Sequence, residues 1–98
     1  MKIQVDKIIE DLVPDYLASL RINIAKINKH LELQEWENIR VLGHNMKGSG
    51  GGYGLMDISE MGIEIQNGAK SEDEKAVRET IQKMKHYLDT LEIEYVDM

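Results

Sequence analysis

At 98 residues the chain has room for one domain, and its core must be well formed. Its 42% hydrophobic and 31% charged residues exclude wholesale disorder, and the absence of cysteine excludes disulfides and thiolate chemistry. A net charge of −6 argues against nucleic acid as the main partner, because a phosphate backbone needs a basic face.

Helix signals dominate the chain. "VDKIIEDLV" predicts a short amphipathic helix over about residues 5–12, and Pro14 then suits the first turn of a second helix. Leu17, Leu20, Ile24, Ile27 and Leu31 recur at three- and four-residue spacing, the mark of one buried stripe. The pattern breaks at Leu33 and Gln34, and "EWENIRVLGHNMKG" begins a new phase with Trp36, Ile39, Leu42 and Met46. "MDISEMGIEIQNGAK" starts with Asp57 three residues before Glu60, a capping-box-like pair, and should close near Gly68. "SEDEKAVRETIQKMKHYLDTLEIEYV" places Ser71 and Glu74 in the same arrangement and continues through Val77, Ile81, Met84, Leu88 and Leu91. No alternating strand pattern competes. The expected fold is all-α: an antiparallel up-down four-helix bundle over about 14–95, preceded by the short helix, with residues 1–98 forming one domain.

The stretch "RVLGHNMKGSGGGYGL", Arg40–Leu55, holds six of the eight glycines and one histidine. It lies within a window, Asn38 to Met56, that contains no Asp or Glu but includes Arg40 and Lys47. Such a window is prepared for something anionic. A P-loop needs its lysine after the glycines, whereas Lys47 precedes most of them, and the dinucleotide pattern fails in every register. No strand precedes either. A metal site at His44 lacks a second ligand at helical spacing, and His30 and His86 belong to other helices, where they read as surface or boundary residues.

On a helical wheel Trp36, Ile39, Leu42, Met46 and Tyr53 share one arc, the core face. His44 falls nearly opposite, with Arg40, Val41, Lys47, Gly48 and Gly51 around it. The histidine therefore points to solvent, Lys47 is its i+3 neighbour, and Gly48 leaves the next turn bare. Each helical glycine costs about 0.5–1 kcal/mol against alanine, so the cluster needs a reason: close approach of another molecule, or close helix packing. A neutral imidazole is a good nucleophile near neutral pH and can carry a phosphoryl group, whose charge Lys47 could steady.

With these residues in place, the sequence resembles a histidine-containing phosphotransfer (HPt) domain over essentially its whole length. The family pattern is His, Lys-Gly at +3 and +4, a small residue, and Gly at +10; here these are His44, Lys47, Gly48, Ser49 and Gly54. The resemblance also implies a role for Gln66 in orienting the imidazole and places Lys70 near the site. The run Gly50-Gly51-Gly52 departs from the common pattern and predicts a looser helix end.

The resemblance implies a phosphoryl carrier without kinase activity of its own. His44 would accept the group from a receiver-domain aspartate or kinase and pass it to another receiver. Mg²⁺ would belong to the receiver and no cofactor to this chain, while Val41, with Gly48 and Gly51, would face the docked partner. The expected partners are response-regulator receivers and a sensor or hybrid kinase. A non-phosphorylated adaptor that binds a receiver or kinase is the alternative. No segment approaches the ~20 apolar residues of a membrane span and no signal peptide is visible, so a cytoplasmic monomer is expected, either free-standing or part of a larger kinase.

Overall fold

The computed structural model describes residues Met1–Met98 and contains four helices and two short strands. The order is β1 (Lys2–Asp6), a 3-10 segment (Lys7–Leu12), α1 (Val13–Glu32), α2 (Trp36–Gly50), a 3-10 turn (Gly51–Tyr53), α3 (Met56–Lys70), α4 (Glu74–Thr90) and β2 (Glu92–Val96). The helices form a bundle, and the whole chain measures 43 × 21 × 18 Å.

Helix α1 begins with Pro14 in its first turn and buries Val13, Tyr16, Leu20, Ile24, Ile27 and Leu31, close to the expected stripe. It ends in a left-handed residue, Gln34 (φ 55°), and the Glu35 N–H returns to the His30 carbonyl at 2.9 Å. The same turn joins α3 to α4: Glu72 takes φ 52° and the Asp73 N–H bonds the Gly68 carbonyl at 2.9 Å. Both links are short, so consecutive helices run antiparallel. Between α2 and α3 the chain turns through Gly54, whose φ of 76° belongs to the left-handed region where glycine carries no Cβ penalty.

Three expectations are corrected. The segment expected as a helix over 5–12 is instead the end of β1 followed by the 3-10 segment, and the last helix stops at Thr90, short of 95. Residues 92–96 form β2, which pairs in parallel with β1 in the register Lys2↔Glu92 through Asp6↔Val96. β1 alternates polar and apolar residues over only five positions, and β2 only as far as Tyr95 before Val96 breaks the pattern, too few to be read without a partner. Neither capping-box pair caps a helix. The cap of α4 is Asp73, which accepts from the Ala76 N–H at 3.0 Å, while the Ser71 hydroxyl donates back to the Asn67 carbonyl of α3. Leu55 occupies the cap position of α3 without a side-chain bond, leaving Asp57 inside the first turn.

Candidate functional site

Helix α2 buries Ile39, Gly43, Met46 and Gly50, while Trp36, Leu42 and Tyr53 pack half-buried against the core. Glycine is part of the buried face because α3 stands directly against it. A Cβ on Gly43 would lie 2.7 Å from the Gln66 backbone nitrogen, and one on Gly50 would lie 2.6 Å from that of Ser59. Ser59 answers from α3, its hydroxyl accepting the Gly51 N–H at 2.8 Å. The glycine cluster thus has two functions. Gly43 and Gly50 permit backbone contact between α2 and α3, whereas Gly48 and Gly52 have nothing within 4 Å of where a Cβ would be.

His44 and Lys47 lie on the exposed side of α2, with Gly48 beside them. His30 is the histidine held by a carboxylate, through Nδ1 to Glu35 Oε1 at 2.8 Å; the His44 ring makes no such bond. Lys47 forms no ion pair with any acid. Val41, 42% exposed, is one turn toward the N-terminus. Arg40 is clamped by Glu37, Nε to Oε2 at 2.9 Å and the second N–H group to Oε1 at 2.6 Å, and these bonds hold the Glu37 carboxyl below its ordinary range. The pair is solvent-exposed and therefore cheap to open.

Gln66 is half-buried on α3, its backbone against Gly43, the residue that precedes His44; its side chain is not hydrogen-bonded to the ring. Lys70 closes α3 and lines, with Trp36, Arg40 and Glu72, a shallow depression of about 310 Å³ one turn from His44. The fold therefore brings Arg40 and Lys70 together although thirty residues separate them in the chain. Ser49 turns toward α1, where its Oγ lies 2.7 Å from the hydroxyl of Tyr16. Tyr16 stacks on Tyr53 at 3.9 Å between ring centroids and 7° between planes. Gly51 begins the 3-10 turn, and a Cβ there would approach the Met56 sulfur at 3.1 Å.

Two apolar residues of α3 passed unnoticed in the sequence, Met56 and Ile63, exposed by 61% and 39%. They are seven residues apart, two turns of one face, and that spacing on an otherwise polar stripe was the available signal. Gly62, next to Ile63, packs against the Lys47 backbone, so this stripe borders the His44 face. The result is a surface of imidazole, free ammonium groups and scattered apolar side chains. No three His, Asp or Glu side chains converge as metal ligands.

A family model, Hpt domain, matches residues 11–94. The chain belongs to the Hpt domain family. No curated protein and no solved structure matches it. Hpt domains are helical bundles that work in two-component phosphorelays, where they interact with receiver domains and histidine kinases. In this Hpt domain no helix is long and apolar enough to cross a membrane.

Proposed function

We propose that this Hpt domain carries a phosphoryl group on His44, taking it from a receiver aspartate and delivering it to another. The observation that supports the reading is one constellation on α2: an exposed imidazole, an unpaired ammonium at i+3 in Lys47, and open space at Gly48. In the accepting step His44 Nε2 attacks the phosphorus of an aspartyl phosphate. The P–N bond forms as the P–O bond to the carboxylate breaks, and the aspartate leaves as its carboxylate. The ring keeps its Nδ1 proton, and the reverse displacement charges the next receiver.

Lys47 is placed to meet the negative charge brought to the ring, and its full donor capacity is available because no carboxylate holds it. Arg40 and Lys70 add positive potential one turn away, and opening the exposed Arg40–Glu37 pair would add more. Gln66 is assigned to orient the imidazole once the partner has docked. Val41, Ile63 and Met56 offer the apolar contacts and Gly48 the clearance for a receiver's loops; Gly51, expected to share that clearance, is covered by Met56 instead. Mg²⁺ belongs to the receiver in this scheme, and transfer takes place in the cytoplasm with the Hpt domain monomeric.

The test is phosphotransfer from receiver domains charged by a small phosphodonor. Acid-labile, alkali-stable phosphate should appear on the wild type and not on His44→Gln. If receivers bind both proteins equally and neither takes label, the chain is an adaptor and the relay reading is wrong.

A further inference from the structure

On the flank of α3 turned toward α4, a cleft of about 230 Å³ opens, several times the ~30 Å³ share of one water. Asp57, Glu60, Met61 and Glu64 line it from α3, and Lys83 and Tyr87 from α4. Glu64 is already satisfied. Lys83 Nζ donates to its Oε2 at 2.7 Å, and the Thr80 hydroxyl lies 3.2 Å from the same oxygen. Asp57 and Glu60 have no cationic partner, so three carboxylates against one ammonium leave the cleft with an uncompensated formal charge of −2.

Charge alone does not make a site, and Tyr87 supplies the independent observation. Its side chain is in the core, 5% exposed, yet its hydroxyl is the one buried side-chain polar atom in the protein with no hydrogen-bond partner. Native proteins seldom leave such an atom unpaired. Burial, reinforced by the Asp57 carboxylate, pushes the phenol up to about 12, so its oxygen stays neutral and able to accept. The cleft therefore combines two carboxylates, which only accept, with a neutral phenol that can accept as well as donate, in a space larger than one water. No three acids converge as metal ligands, which points away from a bare ion and toward a group carrying several N–H donors.

We propose that the α3–α4 cleft binds an organic cation with a primary ammonium or guanidinium group, which Asp57 and Glu60 neutralise while Tyr87 Oη accepts one N–H. The cation is either a free polyamine or the lysine or arginine side chain of a partner protein. The site is separate from His44 and does not depend on phosphotransfer.

The probes are spermidine, agmatine and the peptide acetyl-Gly-Arg-Gly-amide, each titrated into ¹⁵N-labelled protein. Saturable amide shifts confined to 57–64 and 83–87 are expected. Spermidine binding more tightly than the peptide assigns the site to free polyamines, and the opposite order to a partner's side chain. Asp57→Asn/Glu60→Gln should weaken binding by roughly tenfold or more, while Glu10→Gln/Glu32→Gln, which removes the same charge elsewhere, should not. Tyr87→Phe should weaken binding by about three- to tenfold and also raise the melting temperature, because an unpaired hydroxyl has gone. Shifts that never saturate, or that weaken equally in both charge variants, overturn the proposal. So does saturation of the same amides by Ca²⁺ or Mg²⁺ alone, or a Tyr87→Phe protein that melts lower and binds as before.

Discussion

Gly43 and Gly62 meet where α2 and α3 pack together: a Cβ on Gly43 would sit 2.9 Å from the Gly62 carbonyl oxygen, and a Cβ on Gly62 would strike the Lys47 backbone. His44 follows Gly43 directly. The backbone that carries the imidazole is thus braced from behind by a second helix, with no side chain between the two.

Gly43→Ala and Gly62→Ala should each destabilise the protein by about 1–3 kcal/mol or more, since the obstructing atoms are backbone and cannot swing aside. Urea unfolding measures this, and an unchanged midpoint would show that the helices can separate freely.

Gly48→Ala should act in the opposite direction. No atom lies within 4 Å of the new methyl group, and alanine in a helix is favoured by about 0.5–1 kcal/mol, so the variant should melt a few degrees higher. Transfer to and from a receiver should nevertheless slow by roughly tenfold, because small displacements of the reacting groups are costly. A variant both more stable and fully active would remove Gly48 from the docking surface.

Lys47→Gln removes an exposed cation that is bound to no acid, so stability should not change. Phosphotransfer should fall by roughly ten- to hundredfold, the value of a charge-assisted bond to a phosphoryl oxygen. Comparing single-turnover rates with the urea midpoint separates the two effects.

Tyr16→Phe deletes the 2.7 Å bond to Ser49 but keeps the stack on Tyr53, and should cost about 1 kcal/mol. Tyr16→Ala loses the ring as well and should cost about 3–5 kcal/mol. Equal losses in the two variants would mean that the stack contributes nothing.

Alkali should unfold the protein through its buried phenols. Folding raises the Tyr87 pKa from 10.0 to about 12 and also raises that of Tyr16, in both cases chiefly by burial. A raised folded pKa means that this contribution is complete below pH 10 and is lost as the pH climbs toward 12. Unfolding midpoints between pH 9 and 12 should fall steeply in the wild type and less steeply in Tyr87→Phe, with Tyr16 and Tyr95, whose phenols burial also raises, contributing to the remaining slope.

Much of this molecule was legible in its sequence because helical periodicity is a local property. The stripe Leu20, Ile24, Ile27, Leu31 needs only its own spacing to declare a buried face, and the same reasoning placed His44, Lys47 and Gly48 on the outside of α2. Caps were less legible. Asp57 with Glu60 and Ser71 with Glu74 have the right spacing, but the chain enters α3 from Leu55 and gives the α4 cap to Asp73.

Tertiary structure alone decided which glycines serve packing and which leave space. Gly43 and Gly48 stand one turn and a little apart on the same helix, and what separates them is the presence of α3 on one side only. It also decided that Ser49 answers Tyr16 and that Arg40 and Lys70 share a depression. The pairing of β1 with β2 belongs with these, since a five-residue strand gains its hydrogen bonds only from a partner at the other end of the chain. Periodicity is written in neighbouring residues, whereas contact between distant backbones depends on how the helices lie against one another, and only the folded chain holds that information.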